Sequence, residues 1–227
     1  MAGPLPQNSV HAPLADMRAP IVVKLGGSVI RSPDLSKWLD VIAAAPGPIV
    51  IVPGGGALAD EVRSCQKQLG FGDPAAHRMA LLAMDQLAWA VAGMRAGLDV
   101  VATEDALHEA IDSGQVAVWA PYSLISERSD VEANWRMTSD SLALWLAGRL
   151  GARRCCLIKS IARTSASLGA VQLARDGVVD EAFPSMLAET GIATSLLGRG
   201  DQQAFAACLA NNAPGGASIE VGSTGNG

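Results

Sequence analysis

Two lysines occupy positions where a charged side chain needs a physical explanation. Lys24 lies within the apolar run 21–25, and Lys159 directly follows the apolar run 155–158. Burying an unpaired ammonium group is costly, so each lysine requires either an anionic partner or a route to solvent. Because core strands of one sheet can end in the same cleft, we expect both lysines to meet around a bound polyphosphate.

Glycine-rich turns follow the first two apolar runs of the chain. One turn follows residues 21–25 and the other follows residues 48–53, and together they contain Gly26, Gly27, Ser28, Gly54, Gly55 and Gly56. Residues without a Cβ allow backbone N–H groups to approach phosphate oxygens, and a following helix adds its positive end. Two such turns favour phosphate binding, although each could also be no more than a tight connection between strand and helix.

Asp140 is the candidate partner of the lysines. It lies in the segment 138–141 (Thr-Ser-Asp-Ser), at the start of a helix with an apolar body. Asp, Ser and Thr are common at helix starts, so a capping role is the simpler interpretation. A carboxylate between two converging lysines would instead hold both ammonium groups in position.

These residues require a scaffold of alternating strands and helices. Short β-branched runs bounded by Pro and Gly predict strands, and apolar positions at helical spacing predict helices. The predicted strands are 21–25, 48–53, 99–102, 116–120, 154–159 and 192–197, with 218–221 as an edge strand. The predicted helices include 38–43, 57–69, 74–94, 104–112, 139–150 and 202–211. The alternation predicts an α/β fold, a three-layer αβα sandwich around a mainly parallel sheet.

Composition limits the classes of function. The 227 residues are 49% hydrophobic and 17% charged, enough for a sizeable core, and 20–221 is expected to form a single domain between flexible tails at 1–19 and 222–227. A net charge of -5 argues against a nucleic-acid partner, which requires a basic face. No secretory signal is visible. The longest apolar stretch, 79–94, is shorter than the roughly 20 residues of a membrane span.

Cysteine usage and the long apolar helix give two further expectations. The cysteines Cys65, Cys155, Cys156 and Cys208 form no C-x-x-C pair, so a zinc site or a thioredoxin motif is not expected. We expect them to be small core residues in a reducing, cytoplasmic compartment. The helix predicted over 74–94 is apolar almost all round, so it should be buried in the core or in an interface, and a homo-oligomer is expected.

Four motifs occur in a fixed order along the chain: Val-Lys-Leu-Gly-Gly-Ser at 23–28, Val-Pro-Gly-Gly-Gly at 52–56, Thr-Ser-Asp-Ser-Leu-Ala at 138–143 and Leu-Ile-Lys at 157–159. In combination they resemble the amino acid kinase family, over about residues 21–219. The resemblance implies the amino acid kinase fold, with an acceptor half at about 20–150 and a nucleotide half at about 151–221. It also implies ATP as phosphoryl donor and Mg²⁺ bridging the nucleotide phosphates, with no protein ligand assigned to the metal.

The resemblance also implies roles for individual residues. Lys24 and Lys159 would neutralise the transferring phosphoryl group, and Asp140 would orient both lysines rather than accept a proton. The ATP phosphates would also contact Gly26, Gly27 and Ser28. The acceptor would be bound by Gly54, Gly55, Gly56 and Thr138.

Within that family the chain is similar to the kinases that convert aminomethyl-furanmethanol phosphate to its diphosphate for methanofuran-type one-carbon carriers. The segments 79–86, 135–140 and 158–160 support this likeness. Arg78 and Asp85 are seven positions apart on one predicted helix face. We hypothesise that Arg78 binds the acceptor phosphate and Asp85 its ammonium group; His77 could serve the phosphate instead. A structural ion pair, or a polar patch at the start of the helix, is an equal alternative.

Other classes of function stay open at this point. The Walker pattern is absent, and residues 54–59 satisfy G-x-G-x-x-A, the weak fingerprint of a dinucleotide oxidoreductase. A kinase with a different small acceptor is a second possibility. A non-catalytic nucleotide or oxyanion binder is a third, because residues 160–166 lack the acidic, glycine-containing loop typical of the family.

Overall fold

A computed structural model describes residues 18–162, 167–211 and 215–222. These residues form one eight-stranded sheet with the strand order β3-β4-β2-β1-β5-β7-β8-β6. The strands are β1 Ile21–Leu25, β2 Ile49–Pro53, β3 Leu98–Val101, β4 Val116–Trp119, β5 Arg154–Ile158, β6 Ser167–Gly169, β7 Thr194–Leu197 and β8 Ala217–Glu220. All neighbouring strands pair in parallel except β7 and β8. The predicted α/β fold with a mainly parallel sheet is confirmed.

The helices connect these strands and cover the sheet. They are α1 Gly27–Ile30, α2 Leu35–Ala43, α3 Gly56–Leu69, α4 Asp73–Ala92, α5 Glu104–Asp112, α6 Tyr122–Ile125, α7 Ser139–Arg149, α8 Ala170–Arg175, α9 Phe183–Thr190 and α10 Gln202–Asn211. Local sequence sets several of their ends. Thr103 caps α5 by accepting a hydrogen bond from the Ala106 N–H, and Gly70 ends α3 in the left-handed conformation at φ 73°.

Two apolar cores lie on opposite faces of the sheet, because successive residues of a strand point to opposite sides. Along β1, Val22 packs into one core with α7 and α9, and Val23 packs into the other with α2 and α10. The result is the three-layer arrangement. Lys24 shares the face of Val22, so its side chain lies on the side of the sheet covered by α7.

The predicted long helix is only partly buried. It spans Asp73–Ala92 as α4, and one face packs into the cores through residues such as Leu81 and Val91. The opposite face leaves Met79, Leu82 and Trp89 exposed, Trp89 to 68%. Within a single copy of the chain, therefore, only one face of α4 is buried as expected.

Several short elements differ from the sequence-based prediction. Residues 218–221 were expected to form an edge strand, but β8 lies between β7 and β6, and the short strand β6 forms that edge. The helices α1, α6, α8 and α9 and the strand β6 were not predicted, because runs of three to eight residues carry little periodic signal. The tails predicted at 1–19 and 222–227 lie largely outside the described residues. None of the helices in the described part of the chain combines the length and hydropathy that crossing a membrane requires.

Candidate active site

The candidate site lies at the point in the sheet where the chain stops adding strands on one side of β1 and begins adding them on the other. Strand β1 occupies the middle of the sheet, with β2 on one side and β5 on the other. The connections that leave β1 and β2 therefore open a crevice beyond the carboxyl ends of these strands. Ligands of open α/β sheets bind at such a switch point.

The two glycine turns pack against each other backbone to backbone in this crevice. A Cβ added at Gly27 would lie 2.5 Å from the Cα of Gly56, and one added at Gly54 would lie 2.9 Å from the Gly27 nitrogen. Any side chain at these positions would force the turns apart. Glycine is thus required by the packing of the turns as well as by any approach to phosphate.

The backbone amides of the turns divide into two groups. The Gly26 N–H donates to the Ile158 carbonyl at 2.9 Å, and the Gly54 N–H donates to the Leu25 carbonyl at 2.8 Å. These two N–H groups are used to hold the turns in place. They are therefore not available as donors to a ligand, although their position in the sequence suggested that role. Gly27 and Gly56 each begin a helix, where the N–H has no intrahelical acceptor, and both line the crevice.

A buried carboxylate lies between two lysines at the base of the site. The Lys24 ammonium is 2.7 Å from Oδ1 of Asp140, and the Lys159 ammonium is 2.7 Å from Oδ2. Lys159 donates an aligned hydrogen bond, whereas the Lys24 contact is an ion pair without hydrogen-bond alignment. Lys24 is 3% exposed and Asp140 is 5% exposed. The structure thus brings together the three residues expected to meet.

The charges of this cluster do not balance. Burial alone would raise the pKa of Asp140, but the ammonium groups of Lys24 and Lys159 outweigh it and hold this pKa below its usual range. Burial first, and then repulsion by Lys24, lower the pKa of Lys159 to about 8 despite the attraction of Asp140. With both lysines protonated, the cluster carries one net positive charge in a poorly solvated position. Such a site favours a bound anion.

Asp180 holds the helix that carries Asp140. Helix α7 begins at Ser139, and its N-cap residue Thr138 makes no side-chain capping hydrogen bond. Instead, Oδ2 of Asp180 accepts the Thr138 N–H at 2.9 Å, the Thr138 hydroxyl at 2.8 Å and the Ser141 N–H at 3.0 Å, and Oδ1 accepts the Ser141 hydroxyl. Burial and the nearby Asp140 raise the pKa of Asp180. This residue was missed from sequence, because it lies about forty positions from its partners.

A cavity of about 400 Å³ opens from the glycine turns toward α3 and α4. Of the residues predicted to bind ligands, it is lined by Gly27, Ser28, Gly54, Gly55, Gly56 and Thr138. Its apolar wall includes Leu81, Met84, Met137 and Leu142, and its charged or titratable lining includes Arg31, Asp60, Arg63 and His77. The cavity has room for a small organic molecule with an apolar body and polar ends.

One wall of the cavity is a fixed aromatic side chain. The Arg63 guanidinium lies 4.3 Å from the centre of the Trp135 ring, and the Trp135 indole N–H donates to Gln66 at 2.6 Å. Gln66 in turn donates to Asp73 at 2.8 Å. These contacts order Trp135 and keep a cation at the cavity mouth. From the sequence, Trp135 was noted only as part of the segment 135–140 that resembles the family, and no role was predicted for Arg63.

Arg78 and Asp85 are not brought to the cavity. Arg78 pairs with Glu127 at 3.0 Å on the surface, and Asp85 accepts the Tyr122 N–H at 3.1 Å at the start of α6. Burial raises the pKa of Asp85, and that hydrogen bond opposes the shift. This placement removes the geometric basis for assigning the two residues to the acceptor. His77 is the residue of this helix turn that lines the cavity, and burial, with the nearby Arg78, lowers its pKa.

The opposite side of the site is described in part. Lys159 and Ser160 line a shallow pocket with Trp38 and Arg199, and the Arg199 N–H donates to the Ile161 carbonyl at 3.0 Å. Residues 163–166 of the atypical segment lie outside the described residues. Within the described ranges, no group of three or more His, Cys, Asp or Glu side chains could hold a metal ion.

Comparison with known proteins identifies the class that this fold and site define. The chain belongs to the amino acid kinase family, whose family model matches residues 19–163, more than half of the chain. This confirms the resemblance read from the four motifs.

A curated relative and two solved structures add detail. The chain is 27% identical over 145 residues to the [5-(aminomethyl)furan-3-yl]methyl phosphate kinase of Methanocaldococcus jannaschii, over 62% of this chain and 65% of that protein. It thus spans less than two thirds of that relative's length. The fold is similar to uridylate kinase from Archaeoglobus fulgidus, with a TM-score of 0.67, 16% identity and coverage of 88% of this chain and 99% of that one. It is also similar to aspartate kinase from Synechocystis, with a TM-score of 0.63, 13% identity and coverage of 92% and 41%.

The titration of Lys159 gives a testable pH dependence. Because its pKa is about 8, the ligand-free site loses its net positive charge as the pH rises through that value, and a bound anion must then restore the proton. We expect the affinity for MgATP, measured by calorimetry, to be about tenfold lower at pH 9 than at pH 7. Lys159→Arg, which stays protonated, should abolish this dependence, whereas Lys37→Arg at an exposed position should retain it. Equal wild-type affinities at both pH values would contradict the expectation.

Proposed function

We propose that the protein is an ATP-dependent phosphotransferase whose acceptor is the phosphate group of a small molecule. The acceptor we propose is aminomethyl-furanmethanol phosphate, converted to its diphosphate for a methanofuran-type one-carbon carrier. The observation that carries the phosphotransferase proposal is the buried cluster of Lys24, Asp140 and Lys159, with one net positive charge beside two glycine turns. The printed name of the M. jannaschii relative supports the choice of acceptor.

The proposed reaction forms a bond between an acceptor phosphate oxygen and the γ-phosphorus of ATP. The bond from that phosphorus to the bridging oxygen of ADP breaks, and the bridging oxygen keeps the electron pair. The acceptor is already anionic near neutral pH, so no general base is required. Phosphoryl transfer then depends on alignment and charge neutralisation, which Lys24 and Lys159 supply.

Asp140 has a holding role in this mechanism. Its pKa lies below its usual range, so at neutral pH it is a carboxylate engaged with both lysines and not an acid or base for the reaction. Fixing two ammonium groups before the substrates arrive avoids reorganisation during the transfer step. We propose that residues 20–221 act as one domain in which this cluster separates an acceptor half, 20–150, from a nucleotide half, 151–221.

We assign the two substrates to the two glycine turns. We propose that Gly27 and Ser28 contact the ATP phosphates and that Gly55, Gly56 and Thr138 contact the acceptor. Because Arg78 and Asp85 lie away from the cavity, we look for the remaining acceptor-binding residues among those that line it. Arg63 and His77 are the candidates for the acceptor phosphate, and Asp60 is the candidate for the ammonium group.

The residues present fit a magnesium ion that is carried by the nucleotide. The carboxylate within the cluster, Asp140, is already engaged by two ammonium groups, and the described residues offer no group of three metal ligands. Magnesium bound to the ATP phosphates would supply further charge neutralisation. The protein's own part is to hold the phosphates through backbone N–H groups and lysines.

Phosphorus NMR tests the proposed reaction directly. The protein is incubated with magnesium ATP and aminomethyl-furanmethanol phosphate. New diphosphate resonances should appear together with those of ADP. Lys24→Ala should slow the transfer by about 100-fold or more, by analogy with the loss of one transition-state donor, while the matched variant Lys37→Ala at an exposed site keeps wild-type turnover.

The other outcomes each point to a different class of protein. Turnover of another phosphate or carboxylate acceptor, but not of the furan, would contradict the substrate and keep the kinase. ATP binding without turnover of any acceptor would favour a non-catalytic nucleotide binder. NAD binding in place of ATP binding would favour the dinucleotide alternative.

We propose a cytoplasmic homo-oligomer. The cysteines of the chain, all within the described residues, are unpaired, as is common in a reducing compartment. An apolar groove between α3 and α4 is lined by Leu58, Val62, Met79 and Leu82. Leu58, Met79 and Leu82 of this groove are exposed, at 39%, 38% and 42%, and a second copy would cover them.

Light scattering tests the oligomer. The wild-type mass at micromolar concentration should be a multiple of 23.3 kDa, and Leu82→Glu should reduce it to 23.3 kDa, because a charge in an apolar interface is costly. Val171→Glu is the matched control, since Val171 is exposed to a similar degree, 43% against 42%, but lies on α8. A wild-type mass of 23.3 kDa would contradict the proposal.

A further inference from the structure

The first turn of α7 is capped from outside the helix. Backbone N–H groups at a helix start have no intrahelical acceptors and need others. Here a single carboxylate, Asp180, accepts from both Thr138 and Ser141, through the backbone and the side chain of each. These two residues flank Asp140, two positions before it and one after it.

The segment that carries Asp180 is itself anchored to the same part of the chain. The Ala182 N–H donates to the Arg136 carbonyl at 2.9 Å, and the Arg136 guanidinium contacts Glu181 at 3.0 Å. The neighbours Val179 and Phe183 are buried, at 4% and 0% exposure. The connection between α8 and α9 therefore has little freedom to move relative to the start of α7.

The placement of a second carboxylate here has an electrostatic cost. Asp180 is partly buried and lies close enough to Asp140 for the two negative charges to repel. A neutral cap would satisfy the same N–H groups without that repulsion. The positive end of α7 and four donated hydrogen bonds offset the cost. The arrangement is best accounted for by the position it imposes on the helix start.

We propose that Asp180 is a positioning residue for phosphoryl transfer, which fixes the start of α7 so that Asp140 engages both lysines while Thr138 faces the acceptor cavity. The inference rests on the proposed phosphotransferase function. Asp180 belongs to the proposed nucleotide half, and Thr138 lines the cavity of the acceptor half. The carboxylate of Asp180 thus fixes the helix start that carries both Thr138 and Asp140, the residues proposed to align the two substrates.

Steady-state kinetics with Asp180→Asn test this role. Asparagine keeps the shape of the side chain, but it removes the negative charge and leaves only one oxygen, so at least one of the four donated hydrogen bonds is lost. We expect kcat to fall on the order of 100-fold, as for a small misplacement of reacting groups, while the affinity for ATP changes less than threefold. The matched control is Asp176→Asn, in the same connection, where the carboxylate contacts only the exposed Gln172 among the described hydrogen bonds; it should keep wild-type kcat.

A second variant guards against loss of folding in the first. Ser141→Ala removes one of the four donors and should lower kcat in the same direction but by less. Combining it with Asp180→Asn should lower kcat by less than the product of the two single effects, because both act through one contact. A folded Asp180→Asn variant with wild-type kcat would overturn the inference. A change confined to KM, or multiplicative effects in the double variant, would also overturn it.

A readout that needs no acceptor separates this inference from the proposed function. In the ligand-free protein, the titration midpoint of Lys159, followed by NMR, should move to lower pH in Asp180→Asn. The reason is that the carboxylate of Asp140 would no longer lie in close contact with the Lys159 ammonium group. Absence of wild-type turnover together with this shift would contradict the proposed function alone. An unmoved titration would overturn the positioning role even if the wild type is an active kinase.

Discussion

One buried carboxylate shared by two ammonium groups is the interaction on which the rest of the site depends. Removing charges from water costs several kcal/mol per ion, and the cost is recovered only when partners are closely placed. Lys24 and Lys159 end adjacent core strands, and Asp140 reaches both at 2.7 Å. The central position of β1, the start of α7 and the close packing of the turns each serve this placement.

The cluster remains electrostatically incomplete without a ligand. Two ammonium groups share one carboxylate, and Asp180, the other carboxylate nearby, is engaged by four hydrogen bonds at the start of α7. An arriving polyphosphate supplies the missing negative charge, so the site stabilises an anion more strongly than surface lysines could. The lowered pKa of Lys159, caused first by burial and then by repulsion from Lys24, is the measurable sign of this arrangement. The same feature that costs stability in the free protein thus favours the transferring phosphoryl group.

The sequence allowed the scaffold and the centre of the site to be predicted, for reasons that particular residues make clear. A charged residue in a β-branched strand is anomalous, so Lys24 could be singled out without structural knowledge. The helix over 104–112 was predicted with its observed ends, because Thr103 and the acids that follow it are strong start signals. Glycines at strand ends indicated the turns, although their packing against each other was not foreseen.

The parts that escaped prediction depend on long-range geometry. A spacing of seven places Arg78 and Asp85 on one face of α4 but cannot tell where that face points. It points toward Glu127 and the start of α6 instead of the cavity. Asp180 is an ordinary acidic residue in a short connection, and only the fold brings it to Thr138 and Ser141. Arg63 lines the cavity in contact with Trp135, a residue far from it in the sequence.

The most direct test of the central claim is an NMR titration of the Lys159 side chain in the ligand-free wild type and in Asp140→Asn. We predict a midpoint of about 8 in the wild type. In Asp140→Asn the midpoint should be lower, because Lys24 still repels the ammonium group and no carboxylate attracts it. The control Asp60→Asn, at an exposed position, should leave the midpoint unchanged. A wild-type midpoint near the ordinary lysine value of about 10.4, unaffected by Asp140→Asn, would contradict the shared buried ion pair.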